Sequence, residues 1–410
     1  MFDNPYILII GISLLVILSY LYSAIAAKTK IPSVLLLLFT GMGFTAIYSS
    51  MGYELPDTKP GLQFLGIIGV ILIVLEGSLE LNIRRDKLGL IFKSFFSALI
   101  ILLVSAFSIA GGIHLIYSEL TFHICLVNAI PLAVISSAIA IPSVNQMEEE
   151  KKEFIVYESI FSDILGILFF NIVVSNETFQ KESIFWLGAD FLIIISVSII
   201  FTGLILLFIN KTTMNIKFFL MLAVLILLYA FGKLAHLSSL LLILFFGLFL
   251  NNIQLVKSKK LHAFINIGKL RLGIDSFRVI TNESAFLIRT FFFFIFGCSV
   301  SFALLYDFKI AITGSFIVAI LYGIRYLYLR FLAKRNLYPE LFIAPRGLIT
   351  ILLFYAIPEK YSIGLISEGV LFFVILVTSL IMMFGLMKST EKIPDMEIYV
   401  GKDKVDEING

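Results

Sequence analysis

Long apolar runs dominate the chain, interrupted at short intervals by clusters of polar and charged residues. Each run holds about 18 or more residues, enough to cross roughly 30 Å of hydrocarbon as a helix. The runs predict spans near 5–26, 31–50, 61–81, 89–117, 121–144, 152–175, 183–209, 214–232, 236–251, 282–304, 308–333, 337–358 and 365–388. About thirteen spans is an odd number, and an odd helix joining two six-helix sets places those sets in opposite orientation, the topology of inverted repeats. The first half would cover 5–175, the linker helix 183–209 and the second half 214–388. Residues 252–281 mix basic residues with Leu and Ile at helical spacing, which predicts an amphipathic interfacial helix between spans nine and ten.

Two spans carry helix-breaking residues near their middles. The fifth reads Asn128-Ala-Ile-Pro131 and then Ile135-Ser136-Ser137-Ala138-Ile139-Ala140-Ile141-Pro142, and the twelfth contains Ala344-Pro345-Arg346-Gly347. Either could be a plain proline kink. Their matching places in the two halves point instead to a site built from discontinuous helices, where freed backbone groups face protein or water.

Composition agrees with a bilayer as solvent: of 410 residues, 60% are hydrophobic and only 14% charged, with a mean hydropathy of +1.03. One soluble core cannot use that much apolar surface. The net charge of +3 is no nucleic-acid signal, because the basic residues are sorted by side. Loops on one side collect Lys28, Lys30, Arg84, Arg85, Lys87, Lys151, Lys152 and the stretch from Lys257 to Arg278, whereas the other side holds only Lys59, Lys181, Lys233, Lys309 and Lys360. Positive loops stay in the cytoplasm, so the N-terminus is expected outside and the C-terminus inside, in the plasma (inner) membrane. The start, Met-Phe-Asp-Asn-Pro, has no basic n-region, and the first span is expected to be retained. Residues 389–410 form a short tail. Cys125 and Cys298 lie in apolar spans without metal-ligand spacing and read as small buried hydrophobes.

The sixth span carries Tyr157-Glu158-Ser159-Ile160-Phe161-Ser162-Asp163. A carboxylate within a membrane helix costs about 2.5 to 3.5 kcal/mol on insertion, so both acids are functional candidates. Asp163 falls roughly 16 Å along the span, at mid-membrane, and Glu158 stands roughly 140° away around the helix. The two cannot chelate one ion side by side and must have different partners. Ser159 shares the Asp163 face and Ser162 the Glu158 face. Asp163, Ser159 and carbonyls freed by the fifth-span break make an oxygen-rich set suited to a hard monovalent cation such as Na⁺, or equally to a proton. Glu158 needs a cation, and Arg325 and Arg346 are the deep candidates. Glu76 is either a proton-pathway acid or an interfacial one, and Arg289 and Asp190 read as anchors near span ends. The four histidines show no cluster.

These residues resemble the monovalent cation:proton antiporter family, of the sodium/hydrogen exchanger type, over nearly the whole chain. Glu158-Ser159 with Ser162-Asp163 is similar to the Glu-Ser-x-x-Asn-Asp signature of its electroneutral branch, and Ala344-Pro345-Arg346-Gly347 to its second helix break. Leu75-Glu76-Gly77-Ser78-Leu79-Glu80, and Pro32 with Gly41 and Gly43, resemble its third and second helices. The resemblance implies an all-α fold with crossed discontinuous helices. It also implies a homodimer, with helices 1–3 and 8–10 (residues 1–81 and 214–304) as dimer domain and helices 4–6 and 11–13 (89–175 and 308–388) as moving core. It makes Asp163 the carrier of cation and proton, Ser159 a ligand, and Arg325 the partner of Glu158. Where the family has Thr-Asp-Pro, this chain has Ser136-Ser137-Ala138, and Ser162 replaces the usual Asn. With Ser137 neutral, Arg346 is left to Glu158 or to helix ends.

Exchange of a monovalent cation (Na⁺, with Li⁺ or K⁺ as options) for H⁺ by alternating access is therefore expected, electroneutral and without a cofactor. Substrate cation, proton, membrane lipid and a second copy are the expected partners. An organic-solute or anion symporter on the same architecture is the alternative, with Arg346 holding the anion. An enzyme is not expected, since the chain shows no nucleophile and base constellation, metal spacing or Gly-rich phosphate loop.

Overall fold

The computed structural model describes residues 5–53, 57–81, 83, 85–144, 147–175, 192–204, 218–235, 237–252, 267–334 and 337–388. Their regular structure is all helical, with no strand among the described residues. Seven helices make the first half: α1 (Pro5–Thr29), α2 (Ser33–Ser50), α3 (Lys59–Glu80), α4 (Leu88–Ile116), α5 (Phe122–Ala133), α6 (Ser137–Ser143) and α7 (Glu149–Ser175). Then follow α8 (Leu192–Leu204), α9 (Phe218–Leu234), α10 (Ser239–Asn251), α11 (Ile267–Ser299), α12 (Phe308–Leu327), α13 (Leu348–Tyr355) and α14 (Glu368–Lys388). Counting α5 and α6 as one, nine helices among the described residues are long and apolar enough to span a membrane. With the shorter apolar α8, α9 and α10 and the short α13, they account for the thirteen expected spans.

Three expectations are corrected. Residues 267–281 do not form a separate interfacial helix but the first half of α11, a single helix of 33 residues; residues 253–266 of the expected interfacial stretch lie outside the described residues, as do 183–191 and 205–209 of the linker helix and the tail from 389 onward. Because α11 starts far before residue 282, Arg289 sits deep within it rather than near a span end. The twelfth span is not two half-helices: its first part is one turn, with Leu341 and Phe342 N–H bonded to the carbonyls of Leu337 and Pro339 at 2.9 Å, followed by irregular backbone to Gly347. Pro339 and Pro345 lack N–H donors and leave five residues between them, too few to close a helix nucleus.

Packing sorts the helices into two groups. In one, α11 lies along α2 and α3, α10 along α3 and α9, and α1 along α2. In the other, α4 packs on α5 and α7, α12 on α14 and α4, and α13 on α5. The groups meet where α3 touches α7 and α13. The tightest crossing is between α2 and α11: a Cβ on Gly41 would collide with the Phe294 carbonyl, and one on Gly297 with that of Leu38. Many large apolar residues of α1, among them Tyr6, Ile9, Ile10, Leu14 and Ile17, are exposed on the outer surface. In water that would be costly, but in a bilayer it is the natural outer face.

Candidate functional site

The break between α5 and α6 releases three consecutive backbone amides, and each finds a different acceptor. Ile135 N–H donates to Ser162 Oγ at 2.9 Å, Ser136 N–H to the Pro345 carbonyl at 2.9 Å, and Ser137 N–H to Asp163 Oδ2 at 3.1 Å. Pro131 prepares the break, since a proline inside a helix removes a hydrogen bond one turn back and the helix ends two residues later. The two interrupted spans therefore cross directly, joined backbone to backbone at Ser136 and Pro345. Gly347 lies at this crossing because a Cβ there would stand 2.6 Å from Ser136 Oγ and 2.8 Å from Ile139 Cδ1.

Asp163 is 3% exposed and stands near the middle of α7. Its Oδ1 is buried without a hydrogen-bond donor among the described residues, and Ser136 Oγ beside the crossing also has no partner there. A buried carboxylate oxygen left without a donor is costly, and it is the kind of atom a cation or proton satisfies. Ser159, fully buried, donates to the Val156 carbonyl of its own helix at 3.1 Å, and its lone pairs are not committed by that bond.

Glu158 has entirely different company. Arg325 holds it in a bidentate pair, NH1 to Oε1 at 3.2 Å and NH2 to Oε2 at 2.8 Å, and Ser97 Oγ donates to Oε1 at 2.5 Å. The guanidinium is fixed from behind by the Glu340 carbonyl, at 3.0 Å from Nε and 2.9 Å from NH2. Both side chains are about 1% exposed. At such burial the attraction offsets desolvation only when further hydrogen bonds support the pair, and here Ser97 and the Glu340 carbonyl supply them.

Arg346 does not turn to Glu158. Its Nε donates to the Leu132 carbonyl at 2.8 Å and NH1 to the Ala344 carbonyl at 2.6 Å. Leu132 lies in the last turn of α5, where carbonyls lack helical partners and the helix end is negative. Glu76 pairs with Arg289, at 2.6 and 3.2 Å. Arg289 is therefore an ion-pair partner and not a span-end anchor; Asp190 lies outside the described residues.

Against known proteins, a family model described as "Sodium/hydrogen exchanger, transmembrane" matches residues 12–389. The chain belongs to the sodium/hydrogen exchanger family. Its fold is similar to that of the sodium proton antiporter MjNhaP1 from Methanocaldococcus jannaschii at pH 8, with a TM-score of 0.66, 18% identity, and 94% of this chain and 96% of that one covered. An electron-microscopy structure of the same antiporter gives a TM-score of 0.64 at 18% identity, over 94% and 95% of the chains. No curated protein matches the sequence.

Within this exchanger-family chain, several side chains at the crossing escaped the sequence. Ser97 looks like any small residue of an apolar helix; only its place one helix away from Glu158 reveals its bond. Glu340 acts through its backbone carbonyl, which no side-chain pattern reports. Asn128 Nδ2 ties α5 to the Tyr361 carbonyl at 2.7 Å. Thr378 on α14 accepts the Arg346 amide at 3.1 Å.

Proposed function

We propose that this family member exchanges one monovalent cation, Na⁺ by first choice with Li⁺ or K⁺ as options, for H⁺ at Asp163 by alternating access and without net charge movement. The observation that carries the reading is the asymmetry of the two α7 acids. Glu158 is neutralised by Arg325, whereas Asp163 keeps a buried oxygen without a donor among the described residues, at the crossing of two interrupted spans. Ser136, whose hydroxyl has no described partner, and Ser159 are the nearby oxygens that fit a hard cation alongside Asp163. Ser162 and Ser137 position the break through the bonds at Ile135 and Asp163. Arg346 answers to carbonyls, which favours a cation site over an anion site. The chain is read as a transporter and not an enzyme.

The two packing groups support a division into a stationary bundle of α1–α3 and α9–α11 and a moving core of α4–α7 and α12–α14, with α8 as linker. The exposed apolar face of α1 suits a second copy or lipid, and a homodimer in the plasma membrane is the assembly we favour. The sorting of basic loops supports N-terminus outside and C-terminus inside. Glu76, already paired with Arg289, stands on α3, which packs against the Asp163 helix α7, and this neighbourhood supports a place along the proton's route.

Purified protein in liposomes with an internal pH dye tests the reading. Pulses of Na⁺, Li⁺ or K⁺ are expected to move the internal pH, and Asp163→Asn to abolish the response. A silent wild-type protein at every pH from about 6 to 9, the range around neutrality where cation and proton compete, overturns antiport. Full exchange in Asp163→Asn overturns the site.

A further inference from the structure

Thr378 stands in the middle of α14, fully buried and nearly three turns from either charged residue of its own helix, Glu368 and Lys388. Its hydroxyl donates to the Val374 carbonyl at 2.8 Å, the usual satisfaction of a helical threonine. It also accepts the backbone N–H of Arg346 at 3.1 Å, an amide freed by the second break. The preceding residue, Pro345, accepts Ser136 N–H at 2.9 Å. The residue after Ser136, Ser137, donates its N–H to Asp163 Oδ2 at 3.1 Å. Three hydrogen bonds, each displaced by one residue from the last, thus run from Thr378 through both breaks to the proposed carrier acid. Tyr322 on α12 steadies the start of this chain, its hydroxyl 3.3 Å from the Thr378 carbonyl and 3.4 Å from that of Phe342.

We propose that Thr378 is a positioning residue for the cation site, placing the Arg346 peptide and, through Pro345 and Ser136, the Ser137 N–H against Asp163. This rests on the reading of Asp163 as carrier. Irregular backbone between one turn and the short α13 has no ladder of its own to fix it, so an acceptor on a rigid neighbouring helix helps to set where it lies. Valine matches threonine in shape but leaves the Arg346 N–H, in a residue 1% exposed, without an acceptor. The irregular segment must then shift towards another acceptor, carrying the Pro345 carbonyl and the Ser137 amide with it. Asp163 would keep its charge but lose the alignment of its fixed oxygen.

The test compares wild type, Thr378→Val, Thr378→Ser and Asp163→Asn in proteoliposomes, measuring exchange against Na⁺ concentration at several pH values, with thermal unfolding in detergent as a parallel readout. Thr378→Val is expected to raise the half-saturating Na⁺ concentration about three- to tenfold, the range for one lost buried hydrogen bond, and to displace the pH profile, with the maximal rate much less affected. Thr378→Ser, which keeps the hydroxyl, is expected to restore both. If Thr378→Val does not insert, Thr378→Ala carries the same expectation without the extra methyl groups. A lowered melting temperature with unchanged half-saturation and pH profile overturns the proposal, as does a serine variant that behaves like valine. Full exchange by Asp163→Asn would instead remove the carrier reading beneath it, so the two failures are distinguishable.

Discussion

Glu158 and Asp163 are five residues apart on one helix, yet one is held by Arg325 and Ser97 and the other keeps an oxygen without a donor among the described residues. The helical angle between them was legible in the sequence, and so was the need for different partners. The choice between Arg325 and Arg346 was not legible from the residues alone, because it depends on the Glu340 and Leu132 carbonyls, and backbone acceptors leave no trace in residue identity. A consequence at this scale concerns stability. Glu158→Gln leaves the Arg325 charge buried without its counter-charge, a loss expected at about 3 to 5 kcal/mol, visible as a much lower melting temperature in detergent. Replacing both residues by apolar ones of similar size is expected to recover much of that loss, although Glu158→Gln alone would not.

At the scale of elements, prolines and glycines announced where the spans are interrupted, and the α5–α6 break falls where Pro131 and the following serines placed it. The second interruption was legible in position but not in form, since hydropathy is indifferent to whether an apolar stretch is helical or irregular. The length of α11 was hidden for a related reason: polar residues in its first half, paired with other helices as Arg278 is with Asn251 at 2.6 Å, resemble an interfacial segment when read singly. The crossing of α2 and α11 gives a further expectation. Gly41→Ala drives a methyl group into the Phe294 carbonyl, backbone that cannot rotate away, and is expected to destabilise by about 1 to 3 kcal/mol. Thermal unfolding checks it, and Gly43→Ala, with nothing within 4 Å of its Cβ, serves as the comparison that should remain near wild type.

Across the whole molecule, the span count was legible because hydrophobic length is imposed by the bilayer and is largely independent of packing. How the helices group could be expected only from the family resemblance and not from residue patterns, since it arises from contacts among residues far apart in sequence. If a single carboxylate serves both cargoes, cation and proton exclude one another there. The half-saturating Na⁺ concentration should then fall as pH rises, by up to about tenfold per unit where protons dominate the competition, and stopped-flow exchange at fixed ionic strength measures it. A half-saturation that ignores pH would mean separate places for the two. Set beside that competition, the grip of Arg346 on the Leu132 and Ala344 carbonyls takes on another meaning. Amide oxygens neither gain nor lose protons at any acidity a cell encounters, so the fastening that holds the crossed spans together is indifferent to pH, and Asp163 is the part of the crossing that acidity addresses.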